Sequence, residues 1–328
     1  MLEKPDLPDS LILSRVQDEY DLQVCRVTFL PIGADVNTAV YRIDTVDNTA
    51  YFLKLRKGSF EEITVTLPMF LKNQGVPSII TPLPARAGRL WGSLDAYKMI
   101  LYPFVEGQNA YEAAPSDRQW LVFGAALKEI HNVRLPTTLA AQIPIENFSP
   151  QWREMVKDFQ AQAEKTRFKD LTAVKMAGFM NARRSEIDLL VSRAYQLGRV
   201  LRDRPTQLVL SHSDIHAGNL LLGANDALYI VDWDNPIFSP KEHDLAMVGG
   251  STVWSDARAE ALFYQGYGQV VIDPAALAYY RCERIILDIA EYCEQLLLST
   301  EGGEDREQSY QYFTGIFLPD HEVDLALS

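Results

Sequence analysis

Apolar positions in the first hundred residues recur with the short period of strands. Val24–Pro31, Ala39–Asp44 and Ala50–Leu55 are short runs rich in apolar, β-branched and aromatic residues, separated by turn-forming residues. Ser59 and Glu62 make an S-x-x-E pattern that predicts a helix start by a capping box, and Pro68 is expected to kink or restart that helix. A further strand over Tyr97–Tyr102 leads into Pro103-Phe-Val-Glu-Gly107, which reads as a hinge or a plain linker. Beyond Gly107 the spacing lengthens to the helical period. Ser116 predicts the cap of a helix with Trp120, Leu127 and Ile130 on one face, and Trp152–Phe168 and Asn181–Leu201 predict two more helices. A β segment interrupts them at Gln207–Leu210, Asn219–Leu222 and Leu228–Asp232. From Pro274 to Leu298 the pattern is one long helix, with Cys282, Ile285, Ile289, Cys293 and Leu296 as the core stripe. Arg281, Arg284, Asp288, Glu291 and Gln295 form a polar stripe beside it. Sheet first and helices afterwards, with one embedded hairpin, predict an α+β chain of two lobes.

Composition narrows the partners. The 328 residues carry 31 Lys and Arg against 44 Asp and Glu, a formal charge of −13, which disfavours nucleic acid and suits a cationic ligand. Three scattered cysteines, Cys25, Cys282 and Cys293, make neither a disulfide framework nor a CxxC metal knuckle, and read as buried free thiols. The N-terminal MLEKPDLPDS lacks the basic and apolar regions of a secretory signal. No apolar run approaches the roughly 20 residues of a membrane span, so a cytoplasmic location without membrane contact is expected.

The densest set of chemistry-bearing side chains is Ser211-His-Ser-Asp-Ile-His-Ala-Gly-Asn219, with Asp232 thirteen residues beyond the asparagine. Asn225-Asp226 is a favourable turn pair. A hairpin centred between those two residues would put Asn219 directly opposite Asp232. An amide oxygen beside a carboxylate suits Mg²⁺ that borrows its remaining ligands from phosphates. Asp214 precedes Asn219 by five residues and can accept a hydroxyl proton, while His212 reads as a scaffold residue. Lys54, inside the apolar strand Tyr51-Phe-Leu-Lys-Leu55, is a candidate cation for nucleotide phosphates. The loop containing Gly33, Asp35, Asn37 and Thr38 can close over phosphates with backbone N–H groups, although it is no Walker A loop. Pro103, Phe104 and Val105 would present backbone groups to an adenine edge. An alternative reading takes His212, Asp214, His216, Asp232 and His243 as a zinc hydrolase set, which leaves Lys54 and Asn219 without roles.

With Lys54, His212-Ser-Asp214…Asn219, Ile230-Val-Asp232-Trp-Asp234 and Pro240-Lys-Glu-His-Asp244 in view, the chain resembles the aminoglycoside phosphotransferase family of the protein-kinase-like superfamily. The resemblance implies a bilobal kinase-like fold. It assigns residues 1–102 to a β-rich nucleotide-binding lobe, 103–107 to a hinge, and 108–328 to a mostly helical lobe with the catalytic loop and acceptor site. It implies ATP or GTP with Mg²⁺, and transfer of the γ-phosphoryl to a hydroxyl of an aminocyclitol or aminoglycoside antibiotic such as spectinomycin. A metabolic kinase of choline, homoserine or a sugar is the alternative. Asp214 is then the catalytic base, Asn219 and Asp232 the metal ligands, Lys54 the phosphate lysine with Glu62 as its partner, and Asp244 a buried support for the catalytic loop. Asp234, Asp288 and Glu291 are candidate residues for a small cationic, hydroxyl-bearing acceptor, with a solvated face the plain reading of the last two. Trp233, Trp254 and Tyr267 fit either ring stacking or the core. A monomer or weak dimer is expected.

Overall fold

Strand period and helix period along the chain become elements in a computed structural model that describes residues 4–33, 37–300 and 303–328. The first part runs α1 (Asp9–Tyr20), β1 (Val24–Leu30), β2 (Thr38–Thr45), β3 (Ala50–Lys57), α2 (Ile63–Asn73), β4 (Gly92–Leu94), β5 (Tyr97–Pro103), β6 (Gly107–Asn109), α3 (Asp117–Asn132) and α4 (Thr137–Ala140). Then come α5 (Gln151–Lys165), α6 (Leu171–Ala182), α7 (Arg184–Arg202), β7 (Val209–Ser211), β8 (Leu220–Gly223), β9 (Leu228–Ile230) and β10 (Ile237–Ser239). The chain finishes with α8 (Glu242–Leu245), α9 (Ala257–Tyr267), α10 (Pro274–Cys293), α11 (Gly303–Gly315) and α12 (Glu322–Leu327). It packs as two compact units, Met1–Ile143 with Ala217–Pro236, and Pro144–His216 with Ile237–Ser328.

In the first unit an antiparallel sheet has the order β1-β2-β3-β5-β4. Alternation along β3 sends Leu53 and Leu55 into the core, fully buried, and turns Lys54 and Arg56 to the opposite face. Ile12, Val16 and Tyr20 of α1 close the core over Tyr41, Ile43 and Leu101. Expectation and structure part at α2. Its first residue is Ile63 and its N-cap is Glu62, with no side-chain cap bond. The Ser59–Glu62 capping box is not formed. Gly58, at φ 87°, turns the chain ahead of Ser59, and the Glu62 carboxylate accepts the Trp91 indole N–H at 3.2 Å instead. Pro68 sits buried within α2 without ending it.

The Ser116 cap does form. Its hydroxyl accepts the Gln119 N–H at 3.2 Å, and the Gln119 side chain accepts the Ser116 N–H at 2.9 Å. The same two side chains brace the hairpin β8–β9: Ser116 Oγ donates to Asp226 at 2.7 Å, and Gln119 Nε2 donates to the Ala227 carbonyl at 2.9 Å. With β6 the hairpin makes a sheet of order β6-β8-β9.

The second unit is built from α5, α6, α7 and α10 around an apolar core that includes Val156, Met176, Leu190, Ile286 and Ile289. The long helix expected over Pro274–Leu298 is α10 followed by a wider π turn over Glu294–Leu298. Cys282 and Cys293 are buried free thiols, whereas Cys25, expected inside, is exposed and donates to the Asp44 carbonyl at 3.3 Å. No helix among the described residues is long and apolar enough to cross a membrane.

Buried Arg153 of α5 ties this unit together, donating to the carbonyls of Ala194 (3.1 Å), Phe148 (3.1 Å) and Ser149 (2.6 Å). Its Nε lies 2.9 Å from Glu283 Oε1, but neither atom is aligned for a hydrogen bond. The pair is therefore charge attraction without directed bonding. Burial raises the Glu283 carboxyl, Arg153 lowers it and Glu146 raises it again, leaving it at about 7 against an ordinary 4.5. A raised carboxyl binds its proton more tightly in the folded chain. Its stabilising contribution is thus complete below the unfolded value and is lost as pH rises through the folded one. Urea unfolding should show stability falling by about 1–3 kcal/mol from about pH 4.5 to about pH 7.5, and Glu283→Gln should flatten that slope. An unchanged slope in the variant contradicts the assignment.

Candidate active site

Lys54 is the centre of the first unit's polar face. Its Nζ lies 2.9 Å from Asp232 Oδ1 and 2.8 Å from Asp234 Oδ2. Arg56, two residues along β3 on the same face, reaches Asp234 Oδ2 at 2.6 Å. Burial alone would lower the lysine, but the two carboxylates outweigh it and hold the ammonium above its ordinary range. Two expectations change here. The partner of Lys54 is not Glu62, whose carboxylate is on Trp91, and Asp234 is taken up by Lys54 and Arg56 rather than standing free for an acceptor. The geometry follows from Trp233, which is buried and donates its indole N–H to the Ile230 carbonyl at 3.1 Å. With that ring in the core, its neighbours on either side are left to the polar face.

Register is the third correction. The pairs Leu220↔Ile230, Leu221↔Tyr229 and Leu222↔Leu228 place Val231 opposite Asn219, and the Val231 N–H donates to the Asn219 carbonyl at 3.0 Å. Asp232 falls one residue beyond the expected alignment. Asn225 and Asp226 do make the turn, both left-handed at φ 56° and 59°, closed by the Ala227 N–H on Ala224 O at 3.1 Å. The strands, however, close through the Gly223 N–H on Ala227 O at 2.9 Å, so Ala224 is an extra residue on one arm. Asp232 itself adopts φ 66°, a left-handed conformation uncommon for a residue with a side chain, and its carboxylate meets Lys54. Asn219 is buried and the Asp232 side chain is 45% exposed.

Of the phosphate-loop candidates, Gly33 has φ 91°, Thr38 opens β2, and the Asn37 carbonyl accepts the Lys57 N–H at 2.8 Å. Asp35 lies outside the described residues. Pro103 ends β5 opposite Tyr51, the Phe104 N–H donates to Ala50 O at 3.2 Å, and Val105 is half-buried. The sequence reading missed what fixes this segment. The Arg42 guanidinium stacks 4.5 Å over the Phe104 ring and donates to Glu106 at 2.8 Å.

The second unit holds Asp214 in a strained, well-bonded loop. Ser213 has φ 70°, and Asp244 accepts the N–H groups of both His212 (2.9 Å) and Ser213 (2.8 Å). His212 is fully buried, and its Nδ1 accepts the Asp214 N–H at 3.3 Å. Asp214 itself pairs with Arg284 Nη1 through Oδ1 and lies 3.6 Å from His216 Nε2 through Oδ2. Burial would raise this carboxyl, but His216 and then Arg284 outweigh it and hold it well below the usual carboxylate range. Arg284 continues to Asp288 at 3.1 Å, a helical i,i+4 pair, while Glu291 is on the exposed side of α10.

Arg284 is the residue the sequence reading passed over as one member of a polar stripe. The available signal was an opposite-charge pair, Arg284 and Asp288, beside a fully apolar seam. The zinc reading fails on geometry. His212 Nδ1 faces a backbone amide, His243 stacks on Tyr280 at 4.3 Å between ring centres, and no trio of His, Cys, Asp or Glu among the described residues is arranged to hold a metal.

An always-ionised carboxylate can accept a hydroxyl's hydrogen bond without itself being a strong base. A lysine fixed on a sheet can meet phosphate oxygens. Those capabilities, on this α+β fold, are the parts of a kinase. The profile of the phosphotransferase enzyme family matches residues 28–280, and the chain belongs to that family. It is a phosphotransferase acting on a hydroxyl group, with a protein-kinase-like α+β fold and nucleotide use.

Spectinomycin phosphotransferase APH(9)-Ia, in complex with ADP and spectinomycin, is 33% identical to it, covers 99% of both chains and has a TM-score of 0.92. The AMP-bound complex of APH(9)-Ia is 32% identical over 98% of this chain and 99% of that one, with a TM-score of 0.88. Protein StrN of Streptomyces griseus is 24% identical over 261 residues, 77% of this chain and 75% of StrN.

The extra residue in the hairpin gives a direct check. Deleting Ala224 leaves Gly223 and Ala227 paired around a two-residue Asn-Asp turn of the favoured hairpin type, with the register beyond unchanged. Melting temperature and turnover should both stay close to wild type. A large loss of either shows that Ala224 does more than lengthen the arm.

Proposed function

We propose that this chain transfers the γ-phosphoryl of ATP to a hydroxyl of spectinomycin or a related aminocyclitol. The observation that carries the reading is the 33% identity, over 99% of both chains, to a phosphotransferase bound to ADP and spectinomycin. The local chemistry supports it. Asn219, just before β8, and Asp232, just after β9, offer hard oxygen donors of the kind Mg²⁺ takes while it keeps positions for phosphate oxygens. When bound, that ion supplies charge neutralisation at the phosphates. Lys54 holds the α- and β-phosphates, the backbone N–H groups of Gly33, Asn37 and Thr38 supplement it, and Pro103, Phe104 and Val105 meet the adenine edge. We retain residues 1–102 as the nucleotide lobe, 103–107 as the hinge and 108–328 as the lobe with the catalytic loop and acceptor site.

Asp214 orients the acceptor hydroxyl. Kept ionised by His216 and Arg284, it accepts the hydroxyl hydrogen bond and takes the proton only as the bond to phosphorus forms, as a loose transition state requires. Arg284 and Asp288 fix its orientation, and His212 and Asp244 fix its loop. The acceptor is a small cation, drawn to a chain of net charge −13 acting in the cytoplasm.

An acceptor-dependent ADP-release assay tests the reading. Spectinomycin should support turnover, while choline, homoserine and simple sugars should not. Turnover with choline and none with spectinomycin overturns the acceptor assignment. Asp214→Asn should lower kcat by about 10²–10⁴-fold and leave ADP affinity by calorimetry within about twofold. Equal turnover in that variant removes Asp214 from the mechanism.

A further inference from the structure

The Lys54 cluster contains more charges than a phosphate-binding lysine needs. Two cations of β3, Lys54 and Arg56, converge on one oxygen of Asp234, at 2.8 and 2.6 Å. The side chains of Lys54, Arg56 and Asp234 are only 13%, 21% and 22% exposed, whereas Asp232, the second partner of Lys54, is 45% exposed. Asp234 is therefore the inner partner and Asp232 the outer one. Among the described residues of the first unit, Asp232 and Asp234 are the acids paired with Lys54. Helix α2, Ile63-Thr-Val-Thr-Leu-Pro-Met-Phe-Leu-Lys-Asn73, contains no Asp or Glu, and Glu62 just before it is bound to Trp91.

We infer that Asp234 is the positioning residue that holds Lys54 for the nucleotide, with Arg56 balancing its charge, and that Asp232 is a temporary partner which Lys54 releases when a divalent cation binds. This rests on the roles proposed above for Lys54 and Asp232. Two cations facing two carboxylates are neutral together. Asp232 would hold Mg²⁺ when the ion is bound, which would leave one bond of Lys54 for phosphate while Asp234 keeps the ammonium in place. Without Asp234, the ammonium has Asp232 alone. It then competes with Mg²⁺ for that carboxylate, because a half-buried cation does not give up its last counter-charge cheaply.

The signature is a split between two affinities, measured by calorimetry on the full chain. Wild type should bind ADP more tightly with Mg²⁺ than in EDTA. Asp234→Asn should bind ADP in EDTA at least as tightly as wild type, since one negative charge has gone, yet lose about tenfold of the Mg²⁺-dependent gain. Asp234→Glu should restore part of that gain. A merely structural role would weaken both affinities together, and that result, or an unchanged Mg²⁺ gain, overturns the inference.

Should Asp234→Asn fail to fold, Lys54→Met and the Lys54→Met/Asp234→Asn pair carry the test. If Asp234 acts through Lys54, the double variant matches Lys54→Met in its Mg²⁺ gain. A further loss in the double variant overturns the inference. A wild type that binds no ADP defeats the proposed use of ATP and the roles given above to Lys54 and Asp232. A wild type that binds ADP normally while Asp234→Asn retains the full Mg²⁺ gain defeats only the role of Asp234.

Discussion

A cation buried on a β-sheet must find counter-charges, and that requirement organises the first unit around Lys54. Its ammonium has two carboxylates within 2.9 Å, both supplied by the three-residue stretch Asp232-Trp-Asp234. The stretch can supply them because Trp233 anchors it in the core. The hairpin that leads into it is in turn braced by the N-terminus of α3 through Ser116 and Gln119. Removing the charge from a half-buried lysine's surroundings leaves an uncompensated ion, so the sheet, the hairpin and the helix cap are coupled through electrostatics.

The second unit solves a different problem, that of keeping a carboxylate ionised although it is mostly covered. Asp214 is surrounded by His216, Arg284 and, through Arg284, Asp288. Its loop is held by backbone bonds to Asp244, which compensate the left-handed conformation of Ser213. The left-handed backbone at Ser213 and Asp232 falls beside the Asp214 carboxylate and at the carboxylate that meets Lys54.

Much of the architecture was legible in the chain. The strands β2, β3 and β5, the capped helix α3 and the apolar stripe of α10 follow from period and capping chemistry, which are local properties. The Ser59–Glu62 box failed because a capping pattern states a possibility, and Trp91, 29 residues from Glu62, competed for the same carboxylate. The hairpin register was off by one because Ala224 can sit in the turn or lengthen an arm, and side-chain pattern does not separate the two. Helix α6 escaped because its apolar residues do not keep to one face: Met176 and Met180 are buried while Leu171 and Val174 are exposed.

By itself the sequence determined which chemical groups the protein owns and which lie close along the chain: Asp214 near Asn219, Asp232 near Asp234, Lys54 within an apolar strand. Composition and local period suffice for that, since both act over a few residues. Tertiary structure alone decided which charges meet. Asp234 is 180 residues from Lys54, and Arg284 is 70 from Asp214. Ion pairing depends on distance in space and on how far water is excluded, and neither is encoded at either residue until the sheet and the long helix have formed.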